Sequence, residues 1–217
     1  MHFEILVEDE SGKALLDHVV PRILPGNSHT WQVHHYRGLG HIPKGLRPKT
    51  DARHRILLDR LPSVLQGYGR SLDPALVAVV VVVDNDRRDC AEFLAQLHGV
   101  LESCDPKPRT LFRLAIAETE AWLLGDQSAV LRAYPKAKKS VLAQYRQDSI
   151  SDTWEALADA VHPGGSSKLK EQPYHVIGRA KSEWADSIAR HIDVESNGSP
   201  SFAKLRDGLR RLARSKR

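Results

Sequence analysis

Short apolar runs alternate with amphipathic stretches through the first half of the chain. Residues 3–8 (FEILVE) make an apolar run that closes on an acid. In 11–20 (SGKALLDHVV), Leu15, Leu16, Val19 and Val20 recur at helical spacing, with Ser11 as the expected N-cap and Pro21 as the expected stop or kink. The alternation then repeats. A strand is predicted over 31–38, and a helix over 52–69 with Ile56, Leu57, Leu61, Val64, Leu65 and Tyr68 on one face and Pro62 interrupting it. A strand over 75–84, a helix over 88–103 and a strand over 109–118 follow, the last opening into another helix at TEAWLLGD. This order predicts an α/β fold: a four-stranded parallel, Rossmann-like sheet flanked by helices. The unbroken run Val79–Val83 fits a strand covered on both faces, because a strand with one face in water would alternate.

Beyond about residue 126 the strand signals stop. Helical patterns are expected over 129–145, 152–161 and 179–192, a loop over 162–173, a turn at 197–200 (NGSP), and a last helix with Phe202, Leu205, Leu209 and Leu212 in one stripe. The expected organisation is a sheet domain over 1–126 and a helical extension over 127–217 packed on the same core.

Composition narrows this only a little. Of 217 residues, 41% are hydrophobic and 27% charged, an ordinary globular balance. The net charge of +5 is compatible with a nucleic-acid partner without pointing to one. Two cysteines, Cys90 and Cys104, make neither a disulfide framework nor a metal motif, which suits a reducing cytoplasm. No charged leader with a long apolar stretch follows Met1, and the valine run is too short to cross a bilayer, so no membrane partner is expected.

The chemistry lies at the strand ends. The first strand closes on Glu8, the third on Asp84 and Asp86, the fourth on Glu118 and Glu120. In an open parallel sheet, sites form outside the carboxyl ends of the strands, so these acids would converge on one edge. Converged carboxylates repel unless a cation sits among them, and oxygen-only donors suit Mg²⁺ or Mn²⁺. At a strand end, the i, i+2 spacing of Asp84 and Asp86 lets both turn to one point while Asn85 faces away. A DxD on its own would read as a turn or a cap, and the ordered set of acids is what carries the metal reading.

Nearby basic groups could meet phosphate: Arg37, Lys44, Arg47 and Lys49 after the second strand, with Gly38, Gly40 and Gly45 permitting close backbone approach. A solvated basic loop is the alternative. Arg87 and Arg88 follow the DxD and can pair with its acids. Lysines of the helical region, Lys168 in SSKLK and Lys181, could reach the same edge. His29, His34, His35 and His41 fit no zinc spacing. From Lys204 to the end the chain carries seven basic residues and one acid, a solvated face, a nucleic-acid contact or a partner surface.

LVEDESGKALLDHVV and VVVVVDNDRRD together resemble the TOPRIM domain of topoisomerases, primases and OLD-type nucleases, with Glu8 and the Asp84/Asp86 pair at the family's acidic positions. HHYRGLGHIPKGL, AIAETEAWLLGD and ARHIDVESNGSPSF are similar to a small stand-alone TOPRIM-like, OLD-nuclease-like bacterial family encoded beside ABC/AAA-type ATPases and associated with phage defence. One departure is Asp9, where a glycine more commonly follows the acid. The resemblance implies Mg²⁺-dependent phosphodiester cleavage of DNA or RNA. Glu8 would act as acid/base or ligand, Asp84 and Asp86 would hold metal, and Glu118 or Glu120 would complete a second position. OLD-type nucleases use such a lysine, and the resemblance does not assign it to either Lys168 or Lys181. The resemblance also admits a catalytically silent subunit regulated by an ATPase partner, and acids at strand ends also occur in phosphoaspartyl receiver-type domains.

Overall fold

The computed structural model describes residues 1–26, 28–43, 51, 55–149 and 152–214. Four strands, β1 (His2–Val7), β2 (Thr30–His35), β3 (Val77–Asp84) and β4 (Thr110–Ala115), pair in the order β2-β1-β3-β4, and every pairing is parallel. The sheet is flanked by α1 (Glu10–Ile23), α2 (Leu57–Ser71), α3 (Cys90–Glu102) and α4 (Glu120–Leu124). Then come α5 (Gln127–Ala133), α6 (Lys139–Gln144), α7 (Thr153–Val161), α8 (Gly165–Lys170), α9 (Tyr174–Ala189) and the C-terminal α10 (Pro200–Arg214).

The valine run is explained by the layers. Val80 and Val82 enter the core shared with α1, while Val79, Val81 and Val83 enter the core shared with α2 and α3. All five are at most 1% exposed, so each has an apolar partner whichever way the pleat points it. The larger core is continuous into the second half of the chain. Trp122, Leu142, Leu157, Trp184, Phe202, Leu205 and Leu209 share it with Phe3 and Ile5. Helix α9 lies along α1, and α10 packs against β4.

Local chemistry departs from expectation in several places. Asp9, not Ser11, caps α1: its backbone is extended and its carboxylate accepts the Gly12 amide at 2.8 Å. Helix α1 runs through Pro21 to Ile23, one turn further than expected. Pro62 likewise lies inside α2. The segment 129–145 is two helices, parted at Tyr134 and Pro135, and the expected loop over 162–173 contains the short helix α8. Strand β4 ends at Ala115, so Glu118 and Glu120 stand beyond it, in the turn and on the first residue of α4. The N-terminal part of the helix expected from residue 52 lies outside the described residues.

Candidate functional site

The parallel register brings the acids to one edge. Val7 is level with Val82, so Glu8 leaves the sheet within a residue of Asp84, the last residue of β3. Asp84 is 6% exposed, and its Oδ1 accepts the Thr119 amide at 3.0 Å, which ties the end of β3 to the β4–α4 turn. Asn85 is turned under the same turn: its amide bonds Ala115 O and its side-chain nitrogen bonds Arg88 O. Asp86 sits in the left-handed region at φ 50° and is exposed, with Arg88 at 2.8 Å. On the third segment Glu120 is 1% exposed and accepts Ser11 Oγ at 3.3 Å. Glu118 accepts Thr153 Oγ1 and the Trp154 amide, each at 3.1 Å.

Lys181, on α9, supplies a cation from the opposite wall. Its Nζ lies 3.4 Å from Glu120 and 3.6 Å from Glu118. Burial pulls its pKa down, but the carboxylates of Glu120, Glu118, Asp84 and Asp9 outweigh burial and hold it well above the ordinary value. The acids are pushed the other way. Burial, then the charges of Asp9 and Asp86, raise Glu8 to about 8. Burial raises Glu120 to about 7 despite Lys181, and burial with Glu8, Asp9 and Glu120 raises Asp84 well above its usual range. One lysine is too little charge for so many carboxylates. Glu8 Oε2, Glu120 Oε2 and Asn85 Oδ1 are buried without a hydrogen-bond partner, where such groups are ordinarily satisfied.

These orphaned oxygens bear on whether a divalent ion suits the residues. The donors are all oxygen, the setting is over-supplied with negative charge, and unfilled acceptors point inward, which is the chemistry Mg²⁺ or Mn²⁺ takes. Among the described residues, however, no group of three or more His, Cys, Asp or Glu side chains already stands as a ligand set. An ion would have to draw the carboxylates together and displace the lysine from part of its contact.

The acids open into a cleft of about 1010 Å³ between the sheet edge, α1 and α9. Of the basic residues expected from sequence, Arg37 lines it and is exposed, and Lys181 reaches its floor. Two are elsewhere. Lys168 is exposed on α8 and takes no part in the cleft wall, and Arg87 points to Asp152 at 3.4 Å rather than to the acids. Lys44, Gly45, Arg47 and Lys49 lie outside the described residues. The histidines stay apart as a zinc set, His34 pairing with Glu4 and His29 packing edge-on against Phe3. Arg206 and Arg210 of the basic C-terminal helix are held by Glu195. Asp9 was the residue sequence reasoning undervalued: it caps α1 and adds a charge beside Glu8, and its place directly after the strand acid was the available signal.

Fold and site together define a parallel α/β protein with a buried carboxylate–lysine cluster at the carboxyl edge of its sheet. The chain belongs to the family described as a domain of unknown function, DUF4276, whose model matches residues 7–210. No curated protein and no solved structure matches it.

Proposed function

We propose that the protein is a divalent-metal-dependent nuclease of TOPRIM type that hydrolyses phosphodiester bonds of DNA or RNA at the acid edge. The observation that carries the reading is the set of buried carboxyl groups, Glu8 with an oxygen that has no hydrogen-bond partner and Glu120 and Asp84 beside it, gathered from beyond the ends of β1, β3 and β4 with a single lysine among them. Structural ion pairs are ordinarily balanced, whereas excess buried charge with perturbed pKa values marks sites of chemistry.

In the reaction, water adds to phosphorus, one bridging P–O bond breaks, and the departing oxygen takes a proton. Glu8, with a pKa near neutrality, is the group we assign to that proton transfer. Lys181 keeps its charge and offsets the negative charge that develops on the phosphoryl oxygens. Asp84 and Asp86, with Glu8 and with Glu118 or Glu120, are the residues that would hold Mg²⁺ or Mn²⁺, which supplies Lewis-acid polarisation of the phosphate when bound. Purified protein with either ion should nick or degrade nucleic acid, and Asp84→Ala and Glu8→Ala should not. Equal cleavage by all three would sink the reading.

A second reading has its own support. Lys181 already stands among the acids and no ligand set is preformed among the described residues, as expected of a silent TOPRIM-like subunit that assembles with an ABC/AAA-type ATPase. Titration calorimetry separates the two: Mg²⁺ binding that is lost in Asp84→Ala favours the nuclease. Absent binding together with a stable ATPase complex favours the regulatory subunit.

A further inference from the structure

One wall of the acid cleft is α9, and Tyr174, Gly178 and Lys181 follow one another along it at i, i+4 and i+7. Tyr174 opens the helix at the cleft and is 87% exposed. A single exposed ring is ordinary on its own; what sets Tyr174 apart is that it lines the cleft on the same wall as Lys181. Gly178 is the second feature. A Cβ there would meet nothing within 4 Å, so no tight neighbour calls for glycine, and glycine is a poor helix former. Its effect is a bare stretch of wall between ring and lysine. At the helical rise, Tyr174 lies roughly 10 Å along the axis from Lys181. That is too far for the group being cut, and suited to its neighbour along the strand.

Charge says what kind of strand. Arg179 on this wall is tied to Glu183 at 2.9 Å, and Glu8, Asp9, Glu10, Asp84, Asp86, Glu118 and Asp186 also line the cleft. A polyanion gains little here from cations alone. What the wall offers is an exposed π face, and base faces are hidden inside a duplex but presented by an unpaired strand. We infer that the cleft takes an unpaired nucleic-acid strand, with one base stacked on Tyr174 and the backbone passing over Gly178 towards Lys181. The inference rests on the reading of the acid edge as a phosphodiester site.

The test is binding, measured apart from cleavage. Fluorescence anisotropy with labelled oligonucleotides of about 15 residues, unpaired and duplex, DNA and RNA, would use the Glu8→Gln protein with Mg²⁺ so that the probe survives. The unpaired probe should bind about tenfold or more tightly than its duplex, and Tyr174→Ala should weaken it by a similar factor. Tyr174→Phe should retain binding. Gly178→Leu should block the path and weaken binding without lowering the melting temperature, since leucine is the better helix former. Equal affinity for duplex and unpaired probes, or unchanged binding by Tyr174→Ala, would overturn the stacking platform and leave the acid edge as a nuclease site. Failure of every probe to bind would overturn the platform, while cleavage by the wild-type protein reports on the acid edge separately.

Discussion

Two buried polar clusters lie a few residues apart in the chain and behave in opposite ways. The stretch AETEAWLLGD begins in the acid cleft with Glu118 and Glu120 and ends in a knot with NGSPS of the C-terminal segment. In the knot Asp126 accepts the amides of Ala129 and Asp193, Asn197 bonds Trp122 O and the Ser199 amide, and Trp122 Nε1 donates to Ser201 Oγ. Asp148 accepts Ser199 Oγ and the Ser201 amide. Gly125 is glycine because a Cβ would lie 2.1 Å from Asn197 Oδ1. The carboxylates of Asp126 and Asp148 and the amide of Asn197 are filled, with Gln147 Oε1 left over beside them, whereas at the acid edge Glu8 Oε2 and Asn85 Oδ1 have no hydrogen-bond partner and Glu120 Oε2 meets only Lys181 at 3.4 Å. Satisfied networks hold a fold together; an unsatisfied one is tolerated where something else binds.

The sharpest way to break this contrast is to neutralise one member of each cluster. Asp84→Asn keeps the side chain's shape and its bond from the Thr119 amide but removes the charge. Cleavage should fall at least about 10³-fold, while the melting temperature holds or rises, because a neutral amide is easier to bury than a carboxylate. Retained cleavage would return the acid edge to a structural role. Asp148→Ala should do the reverse. It leaves Ser199 Oγ and the Ser201 amide without their acceptor, at a cost of about 3 kcal/mol and so about 6–12 °C in melting temperature. Cleavage at low temperature should survive. Calorimetry that showed no destabilisation would mean the knot is not what anchors α10.

Protons sharpen the contrast next. Glu8 and Glu120 titrate at about 8 and about 7 in the folded chain, both above the ordinary value of an unfolded chain. Between those limits the folded state holds protons that the unfolded state has released. Stability is then fully present below the ordinary carboxylate range and is lost as pH climbs through the folded values. In metal-free buffer the melting temperature should rise as pH is lowered from 8 to 6, and Glu8→Gln should flatten that slope. Adding Mg²⁺ at pH 8 should restore stability by holding the ionised forms. A wild-type slope matched by Glu8→Gln would place the protons elsewhere.

Much of this was legible in the chain. Alternating strand and helix patterns, the double-covered valines and acids after three strands suffice for a parallel sheet with one acidic edge. Less legible were features that local rules misjudge. Pro21 sits in α1 because a helix can carry a proline when its apolar face, through Ile23, is fully buried. Helix α8 was hidden by Gly164 and Gly165, which adopt positive φ at its start. Choosing between Lys168 and Lys181 was beyond any periodicity, since the packing of α9 along α1 decides which lysine meets the acids.

Arg87 gives the smallest expected effect and a fine test of the same distinction. Its place directly after Asp86 suggests phosphate binding, but its guanidinium is 3.4 Å from Asp152, with the side chains 77% and 61% exposed. Exposed pairs of that kind contribute about 0–1 kcal/mol. Arg87→Ala should therefore leave the melting temperature within about 4 °C. If the arginine serves only this outward pair, cleavage and its salt dependence should be unchanged as well. A loss of cleavage with a shallower salt dependence, at constant stability, would show that Arg87 leaves Asp152 for the phosphate when substrate arrives. The working site would then extend past the cleft wall to the turn after β3.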